Sequence, residues 1–140
     1  MSKKFIGIDY GLSKVGLSIS DPLKIISIPL KVIRYKNRNE LLKTLQKIAI
    51  ENDVDSFVVG YPLNMNNKKN KMTELVDDFF KELKNLNFNV FLQDERLSSE
   101  SAKKIMHEQN IKTGKNKEHI DLIASSIILQ SFLDKGELND

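Results

Sequence analysis

Three acidic residues stand where a chain rarely leaves charge, each adjoining an apolar run. Asp9 closes Phe5-Ile6-Gly7-Ile8, with Gly11 two residues beyond it. Asp94-Glu95-Arg96 follows Val90-Phe91-Leu92, and Asp121 opens an apolar stretch near the C-terminus. An unpaired charge beside a core is costly, so three such acids point to a shared cation. Their donor atoms are all oxygen, which favours a hard ion, Mg²⁺ or Mn²⁺. Two such ions about 3.5–4 Å apart activate water and stabilise the leaving oxygen of an in-line phosphodiester attack. Asp9, on a rigid strand, is the natural common ligand, and the other two acids complete one ion each. The chemistry implied is metal-dependent hydrolysis.

Each acid also has a plainer reading. Asp9 beside a glycine suits a turn in which the carboxylate accepts from nearby amides. Asp94 and Glu95 suit a surface ion pair with Arg96, and Asp121 suits the first turn of a helix. Periodicity helps to choose. Alternation along a strand puts Phe91, Gln93 and Glu95 on one side and Leu92 and Asp94 on the other, so only one of the two acids faces a shared site. Glu95 is the expected one, with Asp94 or Arg96 orienting its neighbours. Asp121, Ala124, Ser125 and Ile128 share one helical stripe, whose small residues allow close approach to a sheet. His107 and His119 are assigned no chemistry.

The elements that must position these acids alternate in period. Phe5–Asp9 reads as a buried strand, Val15–Ser20 as its hairpin partner across a short turn, and Ile28–Ile33 as a third strand, with Pro29 at its start or on an edge. Leu41, Leu42, Leu45, Ile48 and Ala49 predict a helix. Phe57-Val58-Val59-Gly60, closed by Tyr61-Pro62, predicts a central strand. Met72, Leu75, Val76, Phe79, Phe80, Leu83 and Leu86 form a second helical stripe. After the strand Val90–Gln93, a helix capped by Ser98 or Ser99 runs to about Gln109, and a last one spans His119 to Leu133. The order β-β-β-α-β-α-β-α-α implies an α/β fold: a mixed sheet with helices on its faces. Two Lys-bearing stretches, 64–71 (Lys68, Lys69) and 110–117 (Lys115, Lys117), are candidates to grip phosphates, with solvated surface as the alternative.

At 140 residues the chain is expected to form one domain, 1–140. The absence of cysteine excludes disulfides, thiolate metal sites and a cysteine nucleophile. No apolar run reaches membrane-spanning length, and the N-terminal residues lack a signal-peptide core, so a cytoplasmic location without membrane contact is expected. A net charge of +3 is compatible with a polyanionic partner but does not name one.

Taken together these segments resemble the YqgF/RuvX family of the RNase H-like superfamily, to which RuvC-type resolvases also belong. The residues that carry the likeness are Ile6-Gly7-Ile8-Asp9-Tyr10-Gly11, Val15-Gly16-Leu17-Ser18 with Ser20-Asp21, Val58-Val59-Gly60-Tyr61-Pro62, Asp94-Glu95-Arg96-Leu97-Ser98, and Ile120–Ser125 with Ile128-Leu129-Gln130. The resemblance covers Phe5 to about Leu133. It implies an RNase H-like fold with a five-stranded mixed sheet, strands 1–3 antiparallel and later strands parallel to the first. It also implies a cytoplasmic nuclease that processes the 5′ end of pre-16S ribosomal RNA, with Asp9, Glu95 and Asp121 as catalytic metal ligands. Gly11, Lys14, Arg96, Lys68, Lys69, Lys115 and Lys117 are the expected substrate contacts. Partners would be precursor rRNA or branched DNA, and by extension ribosomal particles, with the protein a monomer or homodimer. Two alternatives are a Holliday junction resolvase and a non-catalytic RNA-binding ribosome-assembly factor. An actin- or Hsp70-like ATPase is disfavoured because that architecture needs two lobes. Leu12-Ser13 stands where the family commonly has Thr-Lys, Asn66-Asn67 replaces a frequent Asp-Gly, and Ser125 replaces an alanine.

Overall fold

A computed structural model of the chain describes residues 3–64, 66–95 and 117–135. Five strands make one sheet in the order β3-β2-β1-β4-β5. They are β1 (Lys4–Tyr10), β2 (Lys14–Ser20), β3 (Ser27–Arg34), β4 (Val54–Tyr61) and β5 (Asn89–Asp94). β1 and β2 pair antiparallel, as do β2 and β3, whereas β4 lies parallel to β1 and β5 parallel to β4. The helices are α1 (Arg38–Asn52), α2 (Lys71–Asn85) and α3 (Lys117–Asp134). This is the expected mixed sheet. β1 runs one residue past its predicted end at Asp9, because Tyr10 pairs with Val15 and buries its ring. Pro29 lies on the edge strand, where a missing N–H costs least. The helix expected over residues 98–109, and His107 within it, lie outside the described residues.

Local chemistry accounts for the helix starts. The Asn37 side chain accepts the Glu40 amide at 2.9 Å and caps α1. At α2, Asn70 and Thr73 form a reciprocal capping box, and the Asn70 amide also donates to the Pro62 carbonyl at 2.8 Å. One residue thus starts a helix and ties down the end of β4. Asn67 sits at φ 68°, so the Asn-for-Gly exchange keeps its left-handed turn.

Alternation then divides the sheet. Ile6, Ile8, Val15, Leu17, Phe57, Val59 and Val90 pack under α1 and α2 against Leu41, Leu45, Val76, Phe79 and Leu83. Phe5 and Val58 face the other way, against Ile128, Leu129, Phe132 and Leu133 of α3. Among the described residues, no helix is long and apolar enough to cross a membrane.

Candidate active site

Because β1, β4 and β5 are parallel, their C-terminal ends lie along one edge of the sheet, the usual ligand-binding edge of such sheets. Asp9 is at the end of β1. Glu95 directly follows β5, and its amide donates to the Tyr61 carbonyl at 3.1 Å, pinning it to the end of β4. Asp121 lies in the second turn of α3.

Two glycines, one on each neighbouring strand, make room for the other two acids beside Asp9. Gly16 pairs directly with Asp9 across β1 and β2. A Cβ there would lie 2.5 Å from the Asp121 carbonyl oxygen and 3.1 Å from its Cβ. On the opposite side β4 continues one step past the Ile8–Val59 pair to Gly60. A Cβ there would lie 2.5 Å from Glu95 Oε2 and 2.6 Å from Ile128 Cδ1. Any larger residue at either position would displace an acid. The sequence signal was present, as two glycines inside otherwise apolar strands, but its meaning depends on pairing that spacing alone does not reveal.

The carboxyl groups of Asp9 and Glu95 are hydrogen-bonded to each other. Burial raises Asp9 to about 6, with the nearby Asp121 charge adding to the rise while the Glu95 hydrogen bond and Lys14 oppose it. Burial, then the Asp9 charge and hydrogen bond, push Glu95 up to about 8. At neutral pH the pair therefore keeps one proton, shared across the hydrogen bond between the two carboxyl groups. Asp94, as alternation requires, is exposed on the other side. Asp121 takes a different partner: Lys14 Nζ lies 2.9 Å from its Oδ2.

Tyr35 fixes the turn that carries Lys14, donating its hydroxyl hydrogen to the Gly11 carbonyl and its amide to the Ser13 carbonyl at 3.1 Å. A Cβ on Gly11 would meet the Lys14 carbonyl oxygen at 2.5 Å, so the turn needs glycine. Nothing in the local sequence marks Tyr35 for this task. Beneath the acids, Ser125 Oγ donates to the Gly7 carbonyl at 2.9 Å, and Ser18 Oγ donates to the Ser125 carbonyl at 2.9 Å. Both side chains are fully buried.

Of the expected substrate contacts, Lys68 and Lys69 are exposed in the loop before α2. Lys69 Nζ lies 3.9 Å from Asp77 and over the Tyr61 ring. Arg96 and Lys115 lie outside the described residues, as does the side chain of Lys117, whose backbone begins α3. Among the described residues, no three His, Cys, Asp or Glu side chains are arranged to hold a metal ion. The two pairings explain this, since Asp9 and Glu95 face each other and Asp121 faces Lys14. The donor chemistry still suits a divalent cation: half-buried carboxylate oxygen atoms, with no nitrogen or sulfur donor among the three acids.

The family model described as "RuvX: Holliday junction resolvase" matches residues 3–135. The chain belongs to the RuvX family. A relative from Mycoplasmopsis synoviae (strain 53) is 41% identical over 133 residues, covering 92% of this chain and 96% of the relative. One from Ruminiclostridium cellulolyticum is 38% identical over 134 residues, covering 94% of each. Both bear the name "Putative pre-16S rRNA nuclease". Among solved structures, T. thermophilus RuvC in complex with a Holliday junction substrate superposes with TM-score 0.57 at 10% identity, covering 96% of each chain. Fowlpox virus resolvase with its Holliday junction DNA gives TM-score 0.59 at 9% identity, covering 94% of this chain and 97% of that one. At such identities the likeness establishes the fold. This RuvX-family chain has the RNase H-like architecture shared with RuvC.

Proposed function

We propose that this chain is a metal-dependent endonuclease, a single RNase H-like domain acting in the cytoplasm on the 5′ end of pre-16S ribosomal RNA. The observation that carries this reading is the gathering of Asp9, Glu95 and Asp121 at one sheet edge, in space left by Gly16 and Gly60. The names of its relatives support the RNA substrate. Asp9, Glu95 and Asp121 would hold Mg²⁺ or Mn²⁺, which when bound activates water and offsets charge on the phosphate. The protein's own part is to exclude side chains between the acids and to hold the β1–β2 turn through Tyr35. Lys68 and Lys69, exposed in the loop before α2, supply backbone contacts to the nucleic acid and hence salt-dependent affinity. Arg96, Lys115 and Lys117 are assigned the same task.

The test is Mn²⁺-dependent cleavage of a pre-16S 5′ fragment by wild type and Asp9→Asn. The variant should lose nearly all activity, and equal rates would overturn the assignment. The description of the family model favours a second reading, hydrolysis of branched DNA. Symmetric junction resolution needs two active sites, so a dimer on a four-way junction, with faster cleavage there than on the RNA, would favour it. Binding without cleavage of either substrate by any divalent metal would instead leave a ribosome-assembly factor.

A further inference from the structure

Lys14 poses a problem for its expected role. Its position at the mouth of the site suits contact with a substrate phosphate, yet its ammonium is on Asp121. This is not a loose surface pair. Lys14 begins β2, opposite Arg34 of β3, and the turn before it is clamped by Tyr35. The backbone of Asp121 lies directly on Gly16, two residues further along the same strand as Lys14. Both partners are therefore anchored, and the side chains retain only 27% and 24% of their exposure. Pairs held this way lose little side-chain entropy on meeting and are poorly screened by salt. Asp121 Oδ2 is shut from solvent and makes no aligned hydrogen bond among the described residues, so the ammonium meets it chiefly as a charge.

We propose that Lys14 is a positioning residue that serves as a built-in counter-ion, holding Asp121 at the site until a divalent cation displaces it. The proposal rests on the metal-dependent reading above. A cation of higher charge density, drawn also by the Asp9 and Glu95 oxygens, would outcompete a single ammonium for the third carboxylate. Its arrival releases Lys14 at the mouth of the site, where a phosphate would next be held. Occupation by the ion and grip on the substrate are thereby linked through one side chain, which reconciles the expected phosphate contact with the observed ion pair.

The decisive measurement is Mn²⁺ affinity by calorimetry for wild type, Lys14→Gln, Lys14→Arg and Asp9→Asn, with thermal unfolding recorded for each without metal. Lys14→Gln removes both the competitor and its repulsion of the cation. It should bind Mn²⁺ about tenfold more tightly, about 1.4 kcal/mol, while its metal-free form melts lower. Lys14→Arg keeps the charge and should restore near wild-type affinity. A merely structural lysine would lower the melting temperature without tightening the ion. Unchanged or weaker Mn²⁺ binding by folded Lys14→Gln, with binding lost in Asp9→Asn, overturns the lysine's role and leaves the nuclease reading standing. Absence of Mn²⁺ binding in wild type and Lys14→Gln alike overturns both.

Discussion

Beneath α1 and α2 the three central strands present Ile6, Ile8, Val15, Leu17, Phe57 and Val59. Beneath α3 the same strands present Gly7, Asp9, Gly16, Ser18, Val58 and Gly60, each residue the immediate neighbour of one on the apolar list. The first face fills its space with branched and aromatic side chains and gains stability from apolar area removed from water. The second gives up much of that area. Its glycines let α3 come down until the Asp121 carbonyl would touch a Cβ at Gly16, and its polar groups are tied by specific hydrogen bonds. A sheet can thus place stability on one surface and chemistry on the other, with only the two-residue period separating them.

The largest expected effect tests that division directly. Phe79 is fully buried and its ring lies 4.7 Å from that of Tyr10. Phe79→Ala should cost about 3–5 kcal/mol in urea unfolding. Gly16→Ala, which drives a methyl into backbone on the other face, should cost less, about 1–3 kcal/mol, yet disturb Mn²⁺ binding far more. If Phe79→Ala proved the milder change, the apolar face would not be the main source of stability.

Much of this division was legible beforehand. The helical stripes of α1 and α2 and the placement of Pro29 followed from residue spacing. So did the facing of Glu95, rather than Asp94, towards Asp9, because the strand period is insensitive to what lies elsewhere in the chain. What spacing could not supply were the pairings between distant segments. Lys14 with Asp121, Tyr35 with Gly11, and the two glycine gaps beside Asp9 exist only once the strand order and register are set. The expected contacts at Arg96, Lys115 and Lys117 rest on the resemblance and on the basic composition around residues 110–117.

A second, intermediate effect sharpens the contrast, since the two carboxyl groups whose values rise on folding, Asp9 and Glu95, both lie on the α3 side. Asp9 moves from 3.8 to about 6 and Glu95 from 4.5 to about 8. Folded values above the unfolded ones mean that the native state binds more protons between them, so stability falls as pH rises. The contribution is complete below about pH 4 and is lost through about pH 6 and 8. Metal-free protein should therefore lose of the order of 2 kcal/mol between about pH 6.5 and 8.5, measured by urea unfolding. Glu95→Gln should flatten the profile. Parallel profiles for the two proteins would show that the acids are not coupled as described.

The smallest effect concerns the tether between the strand of Asp9 and the helix of Asp121. Ser125 lies one turn after Asp121, and its hydroxyl reaches the carbonyl of Gly7, two residues before Asp9. Ser125→Ala removes that bond but keeps the residue small, and Ser18 can still donate to the carbonyl of residue 125. One buried hydrogen bond is worth about 1 kcal/mol, and the close approach of helix to sheet should survive. Ser125→Val, which adds bulk where a Gly7 Cβ would already lie 3.1 Å from the Ser125 carbonyl, should cost more than the alanine variant. The order of the two distinguishes size from bonding. If alanine were the more damaging, the hydroxyl rather than the narrowness of the residue would be what holds α3 against the strands.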